Sequence, residues 1–447
     1  MYKDNHLSLN ILGAGPAGLG AGFFGKKNNL PVSVYELTDS IGGNSRTIRK
    51  GEFSYDTGAH RLHDKYPMVT STIKELLGND LIKINVPSKI YYKGCYVDFP
   101  LNILNLIQNL STKDLIKIGY ENVFNSVNKN VDPKSFREIA YQNYGPTLSE
   151  MFLINYTEKL WGLDTRKLDK SISGKRLKNL NLFSVIKGML TRNDNVGHLD
   201  GSFYYPKYGF GTIFDQLADN IGYENIFLKS RVKKLVHDGT KINEIVLNDN
   251  RSISPGMIIN TLPLNILRNI FEPQPPKSVA NAIKNIKFRN VRLCILYLNR
   301  TKFTSAASIY FPEPSFPYNR IYEPKNRSPY MAPKDQTCLV VECSVDQAKT
   351  RTISSNESFF RQIKDSLIKE NLIKDGDILG YDIDFIPNAY PIIELGIENK
   401  LIPVINYFNS FENHILHGRN AMFKYVHTHD LLKKSEDIIK ELLDKQK

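Results

Sequence analysis

The residues with the clearest chemical consequence form a glycine-rich turn near the N-terminus. Gly13, Gly15 and Gly18 make the pattern G-x-G-x-x-G directly after the apolar run of residues 7–12. The first glycine permits a tight turn, the second lets the backbone approach a pyrophosphate, and the third allows a helix to pack closely on a strand. The pattern therefore predicts a dinucleotide site, because free N–H groups and the positive dipole end of the following helix attract phosphate.

The neighbouring segments occur in the order that such a turn requires. The apolar run predicts a buried strand, the Ala- and Gly-rich segment after it predicts a helix, and "VSVYE" predicts a second strand ending in Glu36. A carboxylate at this point accepts hydrogen bonds from ribose hydroxyls. It favours FAD or NAD over NADP, whose ribose is phosphorylated.

Two further segments place glycines and basic residues after the second strand. In "DSIGGNSRT", Gly42, Gly43 and Arg46 suggest a second backbone loop close to the dinucleotide, with an ordinary strand-to-helix turn as the alternative. In "FSYDTGAHRLH", Gly58 and His60 follow a short predicted strand. Judged on its surroundings alone, His60 is better explained as a hydrogen-bonded core histidine than as a ligand contact.

The sole tryptophan, Trp161, lies in the polar segment "YTEKLWGLDTRKLDKSISGKRL". An aromatic side chain is more often part of a core than a platform for a ligand. The residues alone therefore favour packing and leave a ligand-binding role open.

Composition limits the function classes. The 447 residues allow two or three domains, and the net charge of +13 favours anionic partners or reflects a Lys- and Asn-rich composition, since the basic residues are dispersed. No basic face carries interleaved aromatics, so we expect no nucleic-acid partner. The four cysteines have neither zinc-ligand spacing nor disulfide density, which predicts reduced thiols, no metal and a cytoplasmic location. Glycines interrupt the N-terminal apolar run and no later run is long enough to span a membrane, so neither a signal peptide nor a transmembrane segment is expected.

The Gly-Gly pair with its basic residue, followed by Asp-x-Gly-x-His, resembles the FAD-binding pattern shared by amine oxidase-like flavoproteins and UDP-galactopyranose mutases. The likeness continues through "YTEKLWG", "YPKYGFGTIFDQLA", "FPYNRIYEPKNRSP", "NAYPII" and "GRNAMFKY", and so covers nearly the whole chain. It includes a related group of FAD-dependent oxidoreductases of polysaccharide biosynthesis. The resemblance implies FAD as the cofactor, in its reduced form for mutase activity.

Segment patterns and this resemblance predict an α/β protein. Its Rossmann-type FAD-binding domain is discontinuous, formed by residues 1–98, 204–284 and 406–447. Helical spacing predicts an inserted helical domain over residues 99–203, and β-rich text predicts an antiparallel β-sheet substrate domain over residues 285–405.

The resemblance also implies roles for residues that would contact the substrate. Two arginines of the mutases neutralise the substrate diphosphate, and the matching positions are Arg176 in "SGKRL" and Arg320 in "YNRIYE". Tyr390 and Tyr425 match tyrosines that contact this diphosphate. Trp161 becomes a candidate for the lining of the substrate cleft.

Two further positions match residues near the flavin. His60 matches a histidine beside the flavin ring, and Arg419 in "HGRN" matches an arginine close to it. The chain departs from these families in "KYVHTHDLL", where histidines replace an amide-rich turn before the last helix. From the matched positions, the resemblance predicts that His60, Arg176 and Arg320 are catalytic.

The leading functional hypothesis is a mutase that interconverts the pyranose and furanose forms of a nucleotide sugar. In the mutases, N5 of reduced FAD attacks the anomeric carbon and displaces the nucleoside diphosphate, so an external flavin reductant is implied. The alternative is an amine oxidase-like enzyme that takes hydride from its substrate. A third hypothesis is a flavin-retaining scaffold in a glycan-assembly complex, and a homo-oligomer stays open.

Overall fold

The computed structural model describes residues 7–101, 103–127, 132–173, 202–346 and 355–446. The N-terminal segment belongs to a five-stranded parallel sheet with the order β20-β13-β1-β2-β9. Its strands are β1 (Leu9–Leu12), β2 (Val32–Tyr35), β9 (Ile226–Phe227), β13 (Met257–Asn260) and β20 (His414–Leu416). β1 is buried at all four positions, as expected for a strand covered on both faces of a parallel sheet.

Three helices pack together beside this sheet, because glycines in the first helix let the other two approach it closely. They are α1 (Pro16–Lys27), α7 (Thr212–Ile221) and α12 (Thr428–Asp444). A Cβ atom at Gly20 would lie 2.8 Å from Leu432 of α12, and one at Gly22 would lie 2.8 Å from Ile221 of α7. Larger side chains at either position would push these helices apart.

A second, seven-stranded sheet has the order β19-β15-β18-β17-β16-β6-β7. Its strands are β6 (Ser88–Tyr92), β7 (Cys95–Phe99), β15 (Phe288–Leu298), β16 (Ile309–Tyr310), β17 (Arg320–Tyr322), β18 (Thr337–Asp346) and β19 (Ile378–Pro391). Every neighbouring pair is antiparallel except β16 with β6. β15 pairs with β19 on one side and β18 on the other, and it is buried at ten of its eleven positions.

In the chain, the helical part lies between β2 and β9 of the parallel sheet. It contains α3 (Ile103–Asn109), α4 (Thr112–Val127), α5 (Phe136–Ser149), a π-helical turn (Glu150–Ile154) and α6 (Asn155–Trp161). Ser135 and Glu138 form a capping box at the start of α5. Gly145, at φ 76°, and Pro146 interrupt the helix before the π turn.

The remaining elements complete the framework. The strands are β3 (Thr47–Lys50), β4 (Phe53–Asp56), β5 (Leu81–Asn85), β8 (Ser202–Pro206), β10 (Val232–His237), β11 (Ile242–Leu247), β12 (Ser252–Ile253) and β14 (Phe271–Glu272). The helices are α2 (Pro67–Leu77), α8 (Leu264–Ile270), α9 (Lys277–Lys284), α10 (Asn356–Lys369) and α11 (Ile397–Asn409).

The architecture confirms the predicted fold class, with a discontinuous parallel-sheet domain, an inserted helical part and an antiparallel sheet. The five predicted domain ranges stay predictions. All four cysteines are free thiols. Within the described ranges, no helix is both long and apolar enough to cross a membrane.

Two buried histidines join the C-terminal elements to the parallel sheet. His414 Nδ1 donates to the Phe408 carbonyl oxygen at 2.6 Å, and His417 Nε2 donates to Ser435 Oγ at 2.8 Å. Ser435 Oγ in turn donates to the Ala17 carbonyl oxygen of α1 at 3.1 Å. Burial lowers the pKa of each imidazole to about 4, so both are neutral in the folded protein.

Acid should therefore destabilise the fold through these histidines. The unfolded chain takes up the protons first, so stability is lost as pH falls below about 6.5 and the loss continues to about pH 4. At pH 5 each histidine should lower the free energy of unfolding by about 2 kcal/mol relative to pH 7. Urea unfolding at both pH values measures this loss, which should shrink in His417→Gln but not in the control His237→Gln, a less buried histidine. An equal pH dependence in wild type and His417→Gln would contradict the assignment.

Candidate functional site

The predicted dinucleotide turn lies at the carboxyl end of β1. Gly13 has φ +104°, and its N–H donates to the Tyr35 carbonyl oxygen at 2.8 Å. A Cβ at Gly18 would lie 1.9 Å from the Gly13 carbonyl oxygen, so that position accepts only glycine. α1 begins at Pro16, directly after the turn, which places its N-terminus at the same edge of the sheet.

Glu36 at the end of β2 is already bonded to this turn. Its Oε2 accepts from the Ala14 N–H at 2.8 Å, and its Oε1 accepts from Thr38 N and Thr38 Oγ1 at 2.9 and 2.8 Å. The carboxylate therefore lies beside the turn, where a ribose could take the place of the threonine hydroxyl.

The second glycine loop packs directly on the first. The Gly42 N–H donates to the Ala14 carbonyl oxygen at 2.8 Å, and a Cβ at Gly43, where φ is +52°, would lie 3.1 Å from Gly15 Cα. Arg46 donates through Nη1 to Ser40 Oγ at 2.8 Å, while its Nε is buried without a hydrogen-bond partner. The structure thus brings both loops to one place, with an unpaired cationic donor beside them.

His60 forms a hydrogen bond to the second glycine loop. Its Nε2 is 2.9 Å from the Asn44 carbonyl oxygen, which can only accept, so this nitrogen carries the proton. The ring stacks on Phe210 with 5.2 Å between centroids, and a Cβ at Gly58 would lie 3.0 Å from Nε2. Burial, followed by the positive charge of Arg327, lowers the pKa of His60 to about 3, so the imidazole is neutral.

Arg320 and Glu342 form a buried ion pair on the antiparallel sheet. They are register partners on β17 and β18, and Arg320 Nη2 donates to Glu342 Oε2. Tyr390 OH donates to the other carboxylate oxygen at 3.1 Å. Burial opposes the charge on Arg320, but the Glu342 carboxylate outweighs it and raises the pKa of Arg320 well above its ordinary value. The guanidinium stays charged, and its Nε is buried without a partner.

Trp161 packs beside Tyr390 and Tyr425, close to this ion pair. It is 3% exposed, and its ring lies 5.8 Å from that of Tyr390 and 5.4 Å from that of Tyr425. The Arg419 guanidinium lies 4.8 Å from the centroids of both tyrosine rings, and its Nε and Nη2 are buried without partners. Trp161 is therefore both packed and adjacent to the tyrosines predicted to contact substrate.

The sequence reasoning missed several residues of this region and placed one outside the described ranges. Glu342 was missed, although a lone acid within the apolar strand "CLVVECSV" is a signal, because a carboxylate buried in a sheet needs a partner. Tyr156 was also missed, and its ring lies 5.5 Å from that of Tyr310, near Arg320. Arg176 lies outside the described residues.

β19 connects the two groups of residues. Asn44 Nδ2 of the second glycine loop donates to the Pro387 carbonyl oxygen of β19, and Tyr390 of the same strand donates to Glu342, the partner of Arg320. Unpaired buried guanidinium nitrogens occur at Arg46, Arg320 and Arg419, which suits anionic groups on the ligands.

Known proteins share parts of the sequence and the fold of this chain. The model of a family described as flavin containing amine oxidoreductase matches residues 16–362. Protoporphyrinogen oxidase 2 of Arabidopsis thaliana is 28% identical over 116 residues, which cover 25% of this chain and 23% of that protein. L-amino-acid oxidase of Crotalus adamanteus is 22% identical over 305 residues, 64% of this chain and 57% of that protein. The matches thus span between about a quarter and somewhat over half of these curated relatives.

The fold also matches a crystal structure of reduced UDP-galactopyranose mutase, with a TM-score of 0.86 and 20% identity. The match covers 98% of this chain and 96% of that one. At this identity the likeness establishes the fold alone.

Substitution of Gly18 by alanine should prevent flavin retention, because the new methyl group would collide with the Gly13 carbonyl oxygen and displace the turn. We expect at least a roughly 100-fold loss of flavin affinity, measured by the visible flavin absorbance of the purified protein and by calorimetric titration. Gly119→Ala is the matched control, since nothing lies within 4 Å of a Cβ at that glycine. Normal flavin content in folded Gly18→Ala would contradict the assignment of the turn.

Proposed function

The chain belongs to the flavin containing amine oxidoreductase family, and from that premise we propose that it binds FAD and interconverts the pyranose and furanose forms of a nucleotide sugar. The family assignment confirms the resemblance to amine oxidase-like flavoproteins seen in the sequence. The observation that carries the mutase proposal is the charged, partly unpaired Arg320, held by Glu342 next to Tyr390.

The residues present fit FAD. Gly13, Gly15 and Gly18 would hold the pyrophosphate at the N-terminus of α1, and Glu36 would bind the adenosine ribose. The second loop, with Gly43 and Arg46, would lie against the dinucleotide from the other side, where the unpaired Arg46 Nε can donate to an anionic oxygen. When bound and reduced, FAD supplies a nucleophilic nitrogen.

His60, Gly58 and Arg419 would lie near the flavin ring. His60 would be neutral there, because its Nε2–H donates to the Asn44 carbonyl oxygen and burial disfavours the charged imidazole. A neutral histidine adds no positive charge to the site. The cationic character of the site therefore comes from its arginines.

Arg320 would bind the diphosphate of the substrate, assisted by the Tyr390 and Tyr425 hydroxyls. A guanidinium presents several donors in a fixed plane and stays charged while negative charge develops on the leaving diphosphate. Glu342 keeps the arginine oriented and charged. Trp161 would line the sugar side of the cleft, and Arg176 would be the second arginine on the diphosphate.

The second candidate is oxidation of the substrate, which membership of an amine oxidoreductase family favours. The electrostatics of the described residues weigh against a cationic amine, because the guanidinium groups of Arg320 and Arg419 both lie in this region and Glu342 already pairs with Arg320. A cation entering this cleft would be repelled, whereas a diphosphate would be attracted. If the protein oxidises its substrate, we expect that substrate to be an anionic sugar.

Product analysis separates the two candidates. The protein is incubated anaerobically with UDP-galactose and other nucleotide hexoses, with the flavin either oxidised or reduced by dithionite, and the sugars are identified by NMR. We expect a product of unchanged mass, formed only with reduced flavin. An oxidised sugar, or bleaching of oxidised flavin by the substrate alone, would overturn the mutase proposal.

Replacing Arg320 by lysine should lower kcat/KM for the nucleotide sugar by about 100-fold, because a lysine keeps the charge but lacks the planar fork of donors. Flavin content should be unchanged, since Arg320 is not among the residues proposed to hold the dinucleotide. Arg361→Lys is the control, because its side chain is 67% exposed and pairs within its own helix.

The same assay on Arg176→Ala tests the second proposed arginine, for which we expect loss of both turnover and affinity for the nucleotide sugar. Full activity in either Arg320→Lys or Arg176→Ala would remove that residue from the diphosphate site.

A further inference from the structure

Arg289, a buried arginine near the start of β15, has no role in the site described above. It is 5% exposed, and its guanidinium donates to the last turn of α6, through Nε to the Leu160 carbonyl oxygen and through Nη2 to the Lys159 carbonyl oxygen, both at 3.2 Å. The last four carbonyl oxygens of a helix have no partner within that helix. Arg289 supplies donors for two of them, and its positive charge suits the negative end of the helix.

The same guanidinium is bonded to the antiparallel sheet. Arg289 Nη1 donates to Asp346 Oδ1, and the two residues are register partners on β15 and β18. On the other side of β15, the register partner of Arg289 is Tyr390 of β19. Arg289 therefore joins the end of α6 to the part of the sheet that carries Tyr390, a tyrosine proposed to contact the diphosphate.

Gly162 leaves room for the guanidinium directly after α6. It has φ +67°, and its N–H donates to the Glu158 carbonyl oxygen at 2.7 Å, which closes the helix. A Cβ at Gly162 would lie 2.5 Å from Arg289 Nη1 and 2.6 Å from Arg289 Cζ. A side chain at this position would therefore displace the guanidinium as well as strain the backbone.

Lys159 fixes the same turn at a second point. Its Nζ donates to the Glu313 and Phe316 carbonyl oxygens at 2.9 and 3.2 Å, in the segment between β16 and β17. β17 begins with Arg320, the arginine proposed to bind the diphosphate. Side chains of two cationic residues thus hold the end of α6 next to strands that carry the proposed substrate contacts.

Trp161 is the residue whose position these bonds determine. It is the last residue of α6, and its ring lies 5.8 Å from that of Tyr390 and 5.4 Å from that of Tyr425. A glycine after the last turn is by itself a common way to end a helix, and a buried ion pair is weak evidence for stability. What Arg289 adds is a fixed position for this helix end relative to the sheet.

We infer that Arg289 is a positioning residue for Trp161: by bonding the end of α6 to Asp346, it holds the indole beside Tyr390 and Tyr425. This inference rests on the proposed function, which assigns Trp161 to the lining of the substrate cleft. An aromatic side chain that is fixed before the ligand arrives loses little freedom on binding, and this raises the affinity for the ligand.

The test follows the hydrogen exchange of the Trp161 indole N–H by NMR, in the purified full chain with its flavin. Trp161 is the only tryptophan, so labelling with ¹⁵N-tryptophan gives one indole signal. In Arg289→Met this exchange should be at least about tenfold faster, because two carbonyl oxygens lose a charged donor and the last turn opens more often. Arg289→Lys keeps the charge without the fork of donors, and its exchange rate should lie between those of wild type and Arg289→Met.

Arg292→Met is the matched control. Arg292 lies on the same strand and is 4% exposed, but its Nη2 donates to Asn356 of α10 at 2.7 Å. This variant loses a buried guanidinium of β15 and should keep the wild-type exchange rate at Trp161. Unchanged exchange in Arg289→Met, or equal acceleration in Arg292→Met, would overturn the inference.

Should Arg289→Met fail to fold, Gly162→Ala decides the question. The new methyl group displaces the same guanidinium without removing a charge, so the exchange of the Trp161 indole should again be faster than in wild type. A wild-type exchange rate in Gly162→Ala would overturn the inference.

Steady-state kinetics test the consequence for the substrate. In Arg289→Met, KM for the nucleotide sugar should rise by about fivefold with kcat nearly unchanged, because a mobile Trp161 weakens binding while Arg320 and the flavin site stay in place. A lower kcat with unchanged KM would overturn the positioning role in the cleft. The exchange measurement needs no nucleotide sugar, so a protein without mutase turnover can still satisfy it, and an active mutase can fail it.

Discussion

The ion pair between Arg320 and Glu342 is the interaction on which the proposed substrate site depends. The two residues face each other on adjacent strands, so the register of β17 and β18 sets their geometry. Removing either partner would leave an uncompensated charge, which typically costs about 3–5 kcal/mol. With both present, the Tyr390 hydroxyl donates to Glu342 Oε1, and Arg320 keeps an unpaired Nε that can donate to a ligand.

Hydrogen bonds from two asparagine side chains to backbone carbonyl oxygens connect β19, which carries Tyr390, to the second glycine loop and to the segment of Arg419. Asn44 Nδ2 donates to the Pro387 carbonyl oxygen at 3.4 Å, and Asn420 Nδ2 donates to the Asn388 carbonyl oxygen at 3.0 Å. The end of β19 therefore touches both the second glycine loop and the segment that carries Arg419. Distances between a bound cofactor and a bound anion would be fixed by the scaffold rather than by mobile side chains, which is the arrangement that catalysis by positioning requires.

Local sterics explain what the sequence predicted well. Gly13 and Gly18 are in contact within one turn, so the spacing of the glycines was enough to predict this turn. Residues whose role comes from distant partners gave weaker signals: Arg289 meets Leu160, which is 129 positions away, and Glu342 meets Tyr390 across an intervening strand. Trp161 shows the same limit, because its sequence context left packing and ligand binding as alternatives, whereas its ring is both buried and beside Tyr390 and Tyr425, the tyrosines proposed to contact substrate.

The most direct test of the account is a crystal structure of the reduced holoprotein with UDP. We predict that the diphosphate lies within hydrogen-bond distance of the Arg320 guanidinium and the Tyr390 and Tyr425 hydroxyls, with Trp161 lining the adjoining space beside the flavin. A diphosphate bound elsewhere, with Arg320 bonded only to Glu342, would contradict the claim that this ion pair builds the substrate site.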